Sequence, residues 1–276
     1  MQKELARAKI NLTLHVGRVI QDPADPFYGY HPLDSLVVFA DIGDEIEMKA
    51  AADTTLSIGG PFGENLTANN DNLILRALTA AKAKPQSLTL EKNLPVSAGI
   101  GGGSANAAAI LRLCGVDDPQ TAISLGADVP VCLRSETAHM TGIGEDVSLL
   151  PAMGQVHALL VNPRVAVSTA EIFKAFDKSK TIRNTPRPMK AEGDLLSRAL
   201  DGRNDLQSVA ISQAPIIGEV LRMLGSQRGC QLARMSGSGA TCFGIYESDH
   251  ALRKAEAAIY AAAPDWWCET TLLGDP

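Results

Sequence analysis

The feature that most constrains this chain is a glycine-rich segment of eleven residues. The segment consists of Pro95, Val96, Ser97, Ala98, Gly99, Ile100, Gly101, Gly102, Gly103, Ser104 and Ala105. Four glycines within five residues remove Cβ atoms, so a phosphate group can approach the backbone N–H groups directly. The small residues that follow predict a helix over Ser104–Leu113, and its N-terminus would add a dipole and unpaired donors. The segment therefore predicts a phosphate-binding loop.

Two common nucleotide-binding motifs do not fit this segment. A Walker A loop needs Gly-Lys-Ser/Thr, and no lysine follows these glycines. A Rossmann G-x-G-x-x-G motif that began at Gly99 would need glycine where Ser104 stands. A Rossmann oxidoreductase is therefore disfavoured. Taken alone, the segment also fits a flexible turn before a core helix, and that alternative stays open at this point.

Composition limits the class of protein and its partners. The chain has 276 residues, 45% hydrophobic and 20% charged, which is typical of a globular protein. With a formal net charge of -6, it is not attracted to a phosphate backbone, so we expect no nucleic-acid partner. Five scattered cysteines without C-x-x-C spacing predict free thiols. No signal-peptide pattern and no membrane-length apolar run are present, so we expect a cytoplasmic protein without membrane contact.

Hydrophobic periodicity alternates between strand and helix signals, which predicts an α+β fold. Predicted strands cover Lys9–Val16, Ser35–Ala40, Glu45–Met48, Leu88–Lys92, Val156–Val161, Gln231–Met235 and Thr241–Tyr246. Further predicted helices follow Asn70 as far as Ala81 and cover Thr169–Phe176, Pro215–Leu224 and Asp249–Ala262, the last capped by Asp249. A polar stretch, Lys178–Glu192, predicts a surface loop. A boundary near Pro151–Gln155 would divide the chain into domains at residues 1–152 and 153–276. The sequence does not indicate an oligomeric state.

Three shorter patterns can also carry chemistry. Lys9 lies in an apolar strand, where its ammonium is costly to bury unless an anion pairs with it, although it also fits an edge-strand lysine that reaches water. Asp128 lies among small and apolar residues in Gly126–Val131, where it also fits a helix N-cap before Pro130. Ser236–Ala240 is a second Gly/Ser turn, which also fits a plain hairpin. Taken alone, each alternative stays open.

Together and in this order, these motifs resemble the GHMP kinase superfamily, and within it the kinases of 4-diphosphocytidyl-2-C-methyl-D-erythritol. The resemblance spans nearly the whole chain. It is carried by Ala8-Lys9-Ile10-Asn11-Leu12, Gly29-Tyr30-His31, Asp71-Asn72-Leu73-Ile74, Pro95–Ala109, Gly126–Val131, Gly142-Ile143-Gly144-Glu145 and Ser236–Ala240. It implies a two-lobed fold, with an N-terminal lobe like domain 2 of ribosomal protein S5 and a ferredoxin-like C-terminal lobe.

The resemblance also implies roles for individual residues. Lys9 and Asp128 would be the catalytic pair, and Pro95–Ala105 would wrap the triphosphate of ATP. The residues implied to bind the cytidine diphosphate-linked methylerythritol substrate are Asn11, Tyr30, His31, Thr169, Phe173, Gly237, Ser238 and Gly239. A cytosine ring stacked between Tyr30 and Phe173 is physically reasonable, although Phe173 also fits a core position on an amphipathic helix. Mg²⁺ is implied as a cofactor, with ligands left open except for Ser104 as a candidate.

Departures from the family pattern limit what can be transferred. Ala105 stands where a second serine is common, and Arg7 stands where a proline is common. The segment between Ala109 and Gly126 is about a dozen residues shorter than usual, so adenine contacts there are not transferred. Two other functions stay open: a GHMP kinase with another acceptor, of the mevalonate or homoserine type, and a nucleotide-binding module that has lost catalysis.

Overall fold

A computed structural model describes residues 1–64, 66–179, 186–188 and 192–275. The strands are β1 (Gln2–Asn11), β2 (His15–Val16), β3 (Leu33–Ala50), β4 (Thr55–Gly59), β5 (Gln86–Glu91), β6 (Ala138–Gly142), β7 (Asp146–Leu149), β8 (Gly154–Asn162), β9 (Cys230–Met235), β10 (Cys242–Tyr246) and β11 (Trp267–Asp275). The helices are α1 (Leu73–Ala80), α2 (Gly102–Leu113), α3 (Pro119–Leu125), α4 (Val129–Arg134), α5 (Thr169–Asp177), α6 (Leu195–Asp201), α7 (Gln207–Gln213), α8 (Ile216–Ser226) and α9 (Asp249–Ala262). The predicted α+β class is confirmed.

One compact unit consists of residues 1–9, 41–96 and 101–135. In this unit the second part of β3 pairs antiparallel with β5, and β5 pairs parallel with β4. Ile46 and Met48 of β3 are buried opposite Leu90 and Leu88 of β5, which is the alternation expected of a sheet with one covered face. Helix α2 packs against α1 and α4.

The other compact unit consists of residues 10–40, 97–100 and 136–276, described apart from the gaps above. In it, β8 pairs antiparallel with both β10 and β11, and β10 pairs antiparallel with β9. Strand β6 pairs with β7 and with the first part of β3. Apolar side chains from β8, β9 and β10 and from α5, α7, α8 and α9 form a buried core that includes Leu159, Ile172, Ile217 and Ile259.

Most predicted elements are present, with shifted ends. The helix predicted to start at Ser104 begins at Gly102, because glycine is no obstacle in the first turn when Gly101 takes a left-handed conformation. The strand predicted over 9–16 is instead β1, which starts at Gln2, followed by the short β2. Asp249 was predicted to cap α9, and this is wrong: the cap is Ser248, whose hydroxyl accepts a hydrogen bond from the Ala251 N–H.

The structure bears differently on the predicted domain division, the predicted surface loop and the predicted free thiols. The proposed domain division at residues 152 and 153 stays a prediction, while the two compact units are each built from discontinuous segments. Residues 180–185 and 189–191 of the predicted 178–192 loop lie outside the described residues. All five cysteines are free, as predicted.

Candidate active site

Lys9 and Asp128 form a direct ion pair. The Lys9 side chain, on β1, is only 4% exposed, and its Nζ lies 2.8 Å from Oδ1 of Asp128, whose side chain is 38% exposed. This burial excludes the edge-strand alternative, in which the ammonium reaches water. Asp128 does occupy the N-cap position of α4, with Pro130 in the first turn, but its side chain makes no capping hydrogen bond and pairs with Lys9 instead. The pair thus has one buried cation and one carboxylate that solvent or a ligand can reach.

The local sequence explains why Asp128 faces outward. Val129, Pro130 and Val131 are buried and anchor the first turn of α4 in the apolar interior. At the other end of that helix, Arg112 donates a hydrogen bond to the Cys132 carbonyl oxygen at 2.6 Å. A cation at a helix C-terminus is favourable for the helix dipole. The carboxylate is therefore carried on a short helix that is fixed at both ends.

The start of α2 lies against Lys9. Gly101 has a φ angle of +65°, and a Cβ atom added there would lie 3.1 Å from the Lys9 Cβ. Gly101 supplies no capping side chain, so the first-turn N–H groups of α2 have no side-chain cap. Groups of this kind are ready donors for an anion. In this unit the glycines therefore combine free donors with close approach to the buried lysine.

A second buried ion pair adjoins the same helix end. Lys92 Nζ lies 2.6 Å from Oδ2 of Asp44, with the two side chains 4% and 0% exposed. Oδ1 of Asp44 also accepts hydrogen bonds from the N–H groups of Asn93 and Leu94. A Cβ atom added to Gly102 would lie 3.2 Å from Lys92 Nζ. Burial lowers the pKa of Lys92, and the Asp44 carboxylate acts in the opposite direction. The sequence does not single out this pair, because Lys92 stands at the end of the predicted strand Leu88–Lys92.

Asn106 is a further polar residue that sequence analysis did not assign. It is 4% exposed in α2, and its Oδ1 is buried without a hydrogen-bond partner. It lies four residues after Gly102, so the two share a helix face. A buried amide oxygen without a partner is costly in a folded protein and is common where a ligand completes the site. The sequence does carry a signal for it, because Asn106 is the one polar residue between Ser104 and Arg112.

In the other unit, two glycine turns pack backbone to backbone. The Thr241 N–H donates to the Ala98 carbonyl at 3.1 Å, and the Ser236 hydroxyl donates to the Gly99 carbonyl at 3.0 Å. A Cβ atom added to Gly99 would lie 2.5 Å from the Ser236 carbonyl oxygen, so glycine is required there. The Ser236–Ala240 turn does join an antiparallel hairpin of β9 and β10, as the alternative held, and it also packs on Ala98 and Gly99 of the glycine-rich segment.

Asn11 is held beside this turn. Its backbone N–H donates to the Ser236 hydroxyl at 3.1 Å, and its side-chain Nδ2 donates to the Ser35 hydroxyl at 2.8 Å. Asn11 is 1% exposed, and its Oδ1 is buried without a hydrogen-bond partner. The residue therefore links the end of β1 to the second glycine turn and keeps one acceptor free.

An aromatic group lies in the same unit. The His31 ring lies 4.9 Å from the Phe173 ring, tilted by 34°, and its Nδ1 lies 3.0 Å from the Gly17 carbonyl oxygen. Tyr30 is 54% exposed. Phe173 also packs against the core of this unit, so the core interpretation of Phe173 holds alongside its aromatic contact. Thr169, one turn before Phe173 on α5, shares a 2.8 Å hydrogen bond with the Ser238 hydroxyl.

The comparisons with known proteins identify the family. The family models for the GHMP kinase N-terminal and C-terminal domains match residues 72–135 and 189–265. The chain is 46% identical to a 4-diphosphocytidyl-2-C-methyl-D-erythritol kinase from Cereibacter sphaeroides, over 97% of each chain. It is 47% identical to the kinase of that name from Paracoccus denitrificans, over 96% of this chain and 94% of the relative. The chain belongs to the 4-diphosphocytidyl-2-C-methyl-D-erythritol kinase family of GHMP kinases.

The solved structures agree with this family. The fold is similar to a crystal structure of 4-(cytidine 5'-diphospho)-2C-methyl-D-erythritol kinase, with a TM-score of 0.79 and 29% identity over 100% of both chains. The predicted resemblance and the GHMP kinase fold are therefore confirmed. The roles of the individual site residues stay predictions.

Three further observations concern metal binding, membrane spanning and thiol reactivity in this GHMP kinase. Among the described residues, no group of three or more His, Cys, Asp or Glu side chains is placed to hold a metal ion. None of the described helices combines the length and apolar character needed to cross a bilayer. Burial, with a further contribution from the Asp128 charge, raises the pKa of Cys132 to about 12. The thiol next to the catalytic candidates is therefore protonated and a poor nucleophile.

Proposed function

We propose that this chain transfers the γ-phosphoryl group of ATP to the 2-hydroxyl of 4-diphosphocytidyl-2-C-methyl-D-erythritol. The products are the 2-phosphate and ADP, in isoprenoid precursor synthesis that does not pass through mevalonate. The observation that carries the proposal is the buried Lys9 ammonium, 2.8 Å from the accessible Asp128 carboxylate, in a chain similar to these kinases over nearly its full length.

The chemistry of the pair follows from charge. The acceptor oxygen forms a bond to the γ-phosphorus while the bond between that phosphorus and the bridging oxygen of ADP breaks. A carboxylate is about 12 pKa units less basic than an alkoxide, taking water as the guide, so it cannot remove the hydroxyl proton in advance. Asp128 therefore orients the hydroxyl and takes its proton late, as the O–P bond forms. Lys9 holds the carboxylate in place and offsets negative charge beside the acceptor.

ATP binding is assigned to the glycine segment. Pro95–Ala105 offers backbone N–H groups and the start of α2, which suit the β- and γ-phosphates. The unpartnered amide oxygen of Asn106 is a further candidate contact for the nucleotide. The chemistry that Mg²⁺ would supply when bound is to offset the negative charge of the phosphates. Magnesium at nucleotide sites is usually held by one or two protein side chains together with substrate phosphates and waters, so a large carboxylate cluster is not required. The half-buried Ser104 hydroxyl in the first turn of α2 is the candidate ligand.

Recognition of the acceptor is assigned to the other unit. Tyr30, His31 and Phe173 would contact the cytosine ring by stacking and hydrogen bonding, and stacking alone supplies about 1–3 kcal/mol per base. Asn11, Thr169 and the residues Gly237, Ser238 and Gly239 would contact the rest of the substrate. The free thiols and acidic charge also favour a cytoplasmic location and the absence of nucleic-acid partners.

The test is ADP release from ATP and Mg²⁺ with three acceptors in parallel. We expect turnover with 4-diphosphocytidyl-2-C-methyl-D-erythritol and none with mevalonate or homoserine. Equal or faster turnover with either of the other two would replace the substrate and keep the kinase. ADP release with none of them, despite ATP binding, would favour the nucleotide-binding module that has lost catalysis.

A further inference from the structure

We propose that Asn204 is a positioning residue that fixes the second glycine turn, residues 236–239, for the transfer reaction. This inference rests on the proposed function, because it assumes that the turn contacts the substrate. Asn204 is 7% exposed and lies just before α7, outside every motif that carries the family resemblance. We assign it no contact with substrate or nucleotide.

Asn204 uses its whole side-chain amide on the chain. Nδ2 donates to the carbonyl oxygens of Met235 and Gly237, each at 2.8 Å. Oδ1 accepts a hydrogen bond from the Leu206 N–H at 2.9 Å. The two donors therefore grip the turn from both sides of Ser236, and the acceptor ties the same side chain to the start of α7. Reversing the amide would set its oxygen against two carbonyl oxygens, so the network fixes one orientation.

The backbone of Asn204 is fixed independently. Leu14 and Asn204 form an isolated parallel bridge. The Leu14 N–H donates to the Arg203 carbonyl at 2.8 Å, and the Asp205 N–H donates to the Leu14 carbonyl at 2.9 Å. Because its backbone is fixed in this way, the Asn204 side chain can hold the 236–239 turn in one position.

Other contacts also restrict the position of the 236–239 turn. Gly237 has a φ angle of +55°, and a Cβ atom added there would lie 2.7 Å from the Gly99 carbonyl oxygen. Ser236 bonds to Gly99, and Ser238 bonds to Thr169. A shift of the turn would therefore move the Ser97–Ile100 part of the glycine segment and the start of α5 together. Displacements of about 1 Å near reacting groups can lower rates by about 100-fold.

Gln207 provides a matched control. Its Oε1 accepts a hydrogen bond from the Met235 N–H at 3.0 Å, so it contacts the same residue from the same segment but through an acceptor. Replacing either amide by a carboxylate adds one negative charge. Asn204→Asp keeps the bond to Leu206, loses both donors and sets an oxygen against two carbonyls. Gln207→Glu keeps the bond that Gln207 makes to Met235.

The experiment compares kcat, the KM for ATP and ATP-binding stoichiometry in Asn204→Asp, Asn204→Ala and Gln207→Glu. Stoichiometry by calorimetry counts folded molecules, which separates positioning from loss of folded protein. For both Asn204 variants we expect kcat per ATP-binding site to fall by at least about tenfold, and the KM for ATP to change by a smaller factor, because the turn contacts only the Ser97–Ile100 part of the ATP-binding segment. For Gln207→Glu we expect wild-type values.

Each other outcome decides against the proposal. Wild-type kcat per site in both Asn204 variants would overturn it, and so would an equal loss in Gln207→Glu. Failure of both Asn204 variants to fold would assign Asn204 to stability instead of positioning. The same assay tests the proposed function separately, through the wild-type enzyme. If wild-type enzyme releases no ADP with the cytidine diphosphate-linked acceptor, the proposed function itself is contradicted. If only the Asn204 variants fail to behave as expected, the role of Asn204 alone is contradicted.

Discussion

Two lysines are buried in the same compact unit, and each pairs with an aspartate. Lys9 could be singled out from sequence because an ammonium among Ala, Ile and Leu requires an anionic partner. That the partner is Asp128, 119 positions later, came from the family resemblance, since no local pattern joins the two residues. Lys92 was not singled out because it ends the strand predicted over Leu88–Lys92, where a lysine ordinarily reaches water. In the structure β5 ends at Glu91, and the Lys92 side chain is buried.

Removal of the Asp44 carboxylate should be strongly destabilising. Asp44→Ala leaves Lys92 buried without its counter-ion and removes the acceptor for two backbone N–H groups. We expect a loss of about 3–5 kcal/mol in the free energy of unfolding, measured by urea denaturation.

The exposed pair between Arg134 and Asp117 is the control for that measurement. Their side chains are 34% and 67% exposed, so Asp117→Ala should cost at most about 1 kcal/mol. Equal losses of unfolding free energy in Asp44→Ala and Asp117→Ala would show that burial does not determine how much the Lys92–Asp44 pair contributes to stability.

Among the elements, α2 joins sequence signal and site most directly. Its glycine start was predicted from the need for close approach by a phosphate, and the structure adds that Gly101 lies against Lys9. Gly101→Ala would place a methyl group 3.1 Å from the Lys9 Cβ in a left-handed conformation. We expect at least about a tenfold loss of kcat, because the lysine is displaced.

Gly115, just after the same helix, separates strain from displacement. Its φ angle is +71°, but an added Cβ atom would meet nothing within 4 Å. Both glycine-to-alanine variants should lose about 1–2 kcal/mol of stability from the left-handed conformation. Only Gly101→Ala should lose kcat. A comparable loss of kcat in Gly115→Ala would mean that backbone strain alone, and not displacement of Lys9, explains the loss.

Helices and strands with strong periodicity could be predicted, and those with weak signals could not. Helix α1 follows its apolar spacing, and β9 and β10 flank the second glycine turn as expected. The short helices α3, α6 and α7 were missed because each has only seven residues, too few for a clear period. Strand β11 was missed too, although it pairs with β8 over nine residues.

At the scale of the whole molecule, composition and order of motifs predicted the class and family, while long-range contacts came only with the structure. The Ser236 hydroxyl bonds to Gly99 across 137 positions, and Asn204 holds Met235 across 31. Such contacts depend on how distant segments of the chain meet, which local propensity does not encode. The backbone packing of two glycine turns is the clearest example, because nothing in either turn's own sequence indicates that it contacts the other.

The central claim, that Asp128 acts on the acceptor hydroxyl, is tested most directly by Asp128→Asn. This variant keeps the shape of the side chain and removes its charge, with Asp117→Asn as an exposed control. We predict that kcat falls by at least about 100-fold while the dissociation constant for ATP is nearly unchanged. Wild-type turnover by Asp128→Asn would contradict the account.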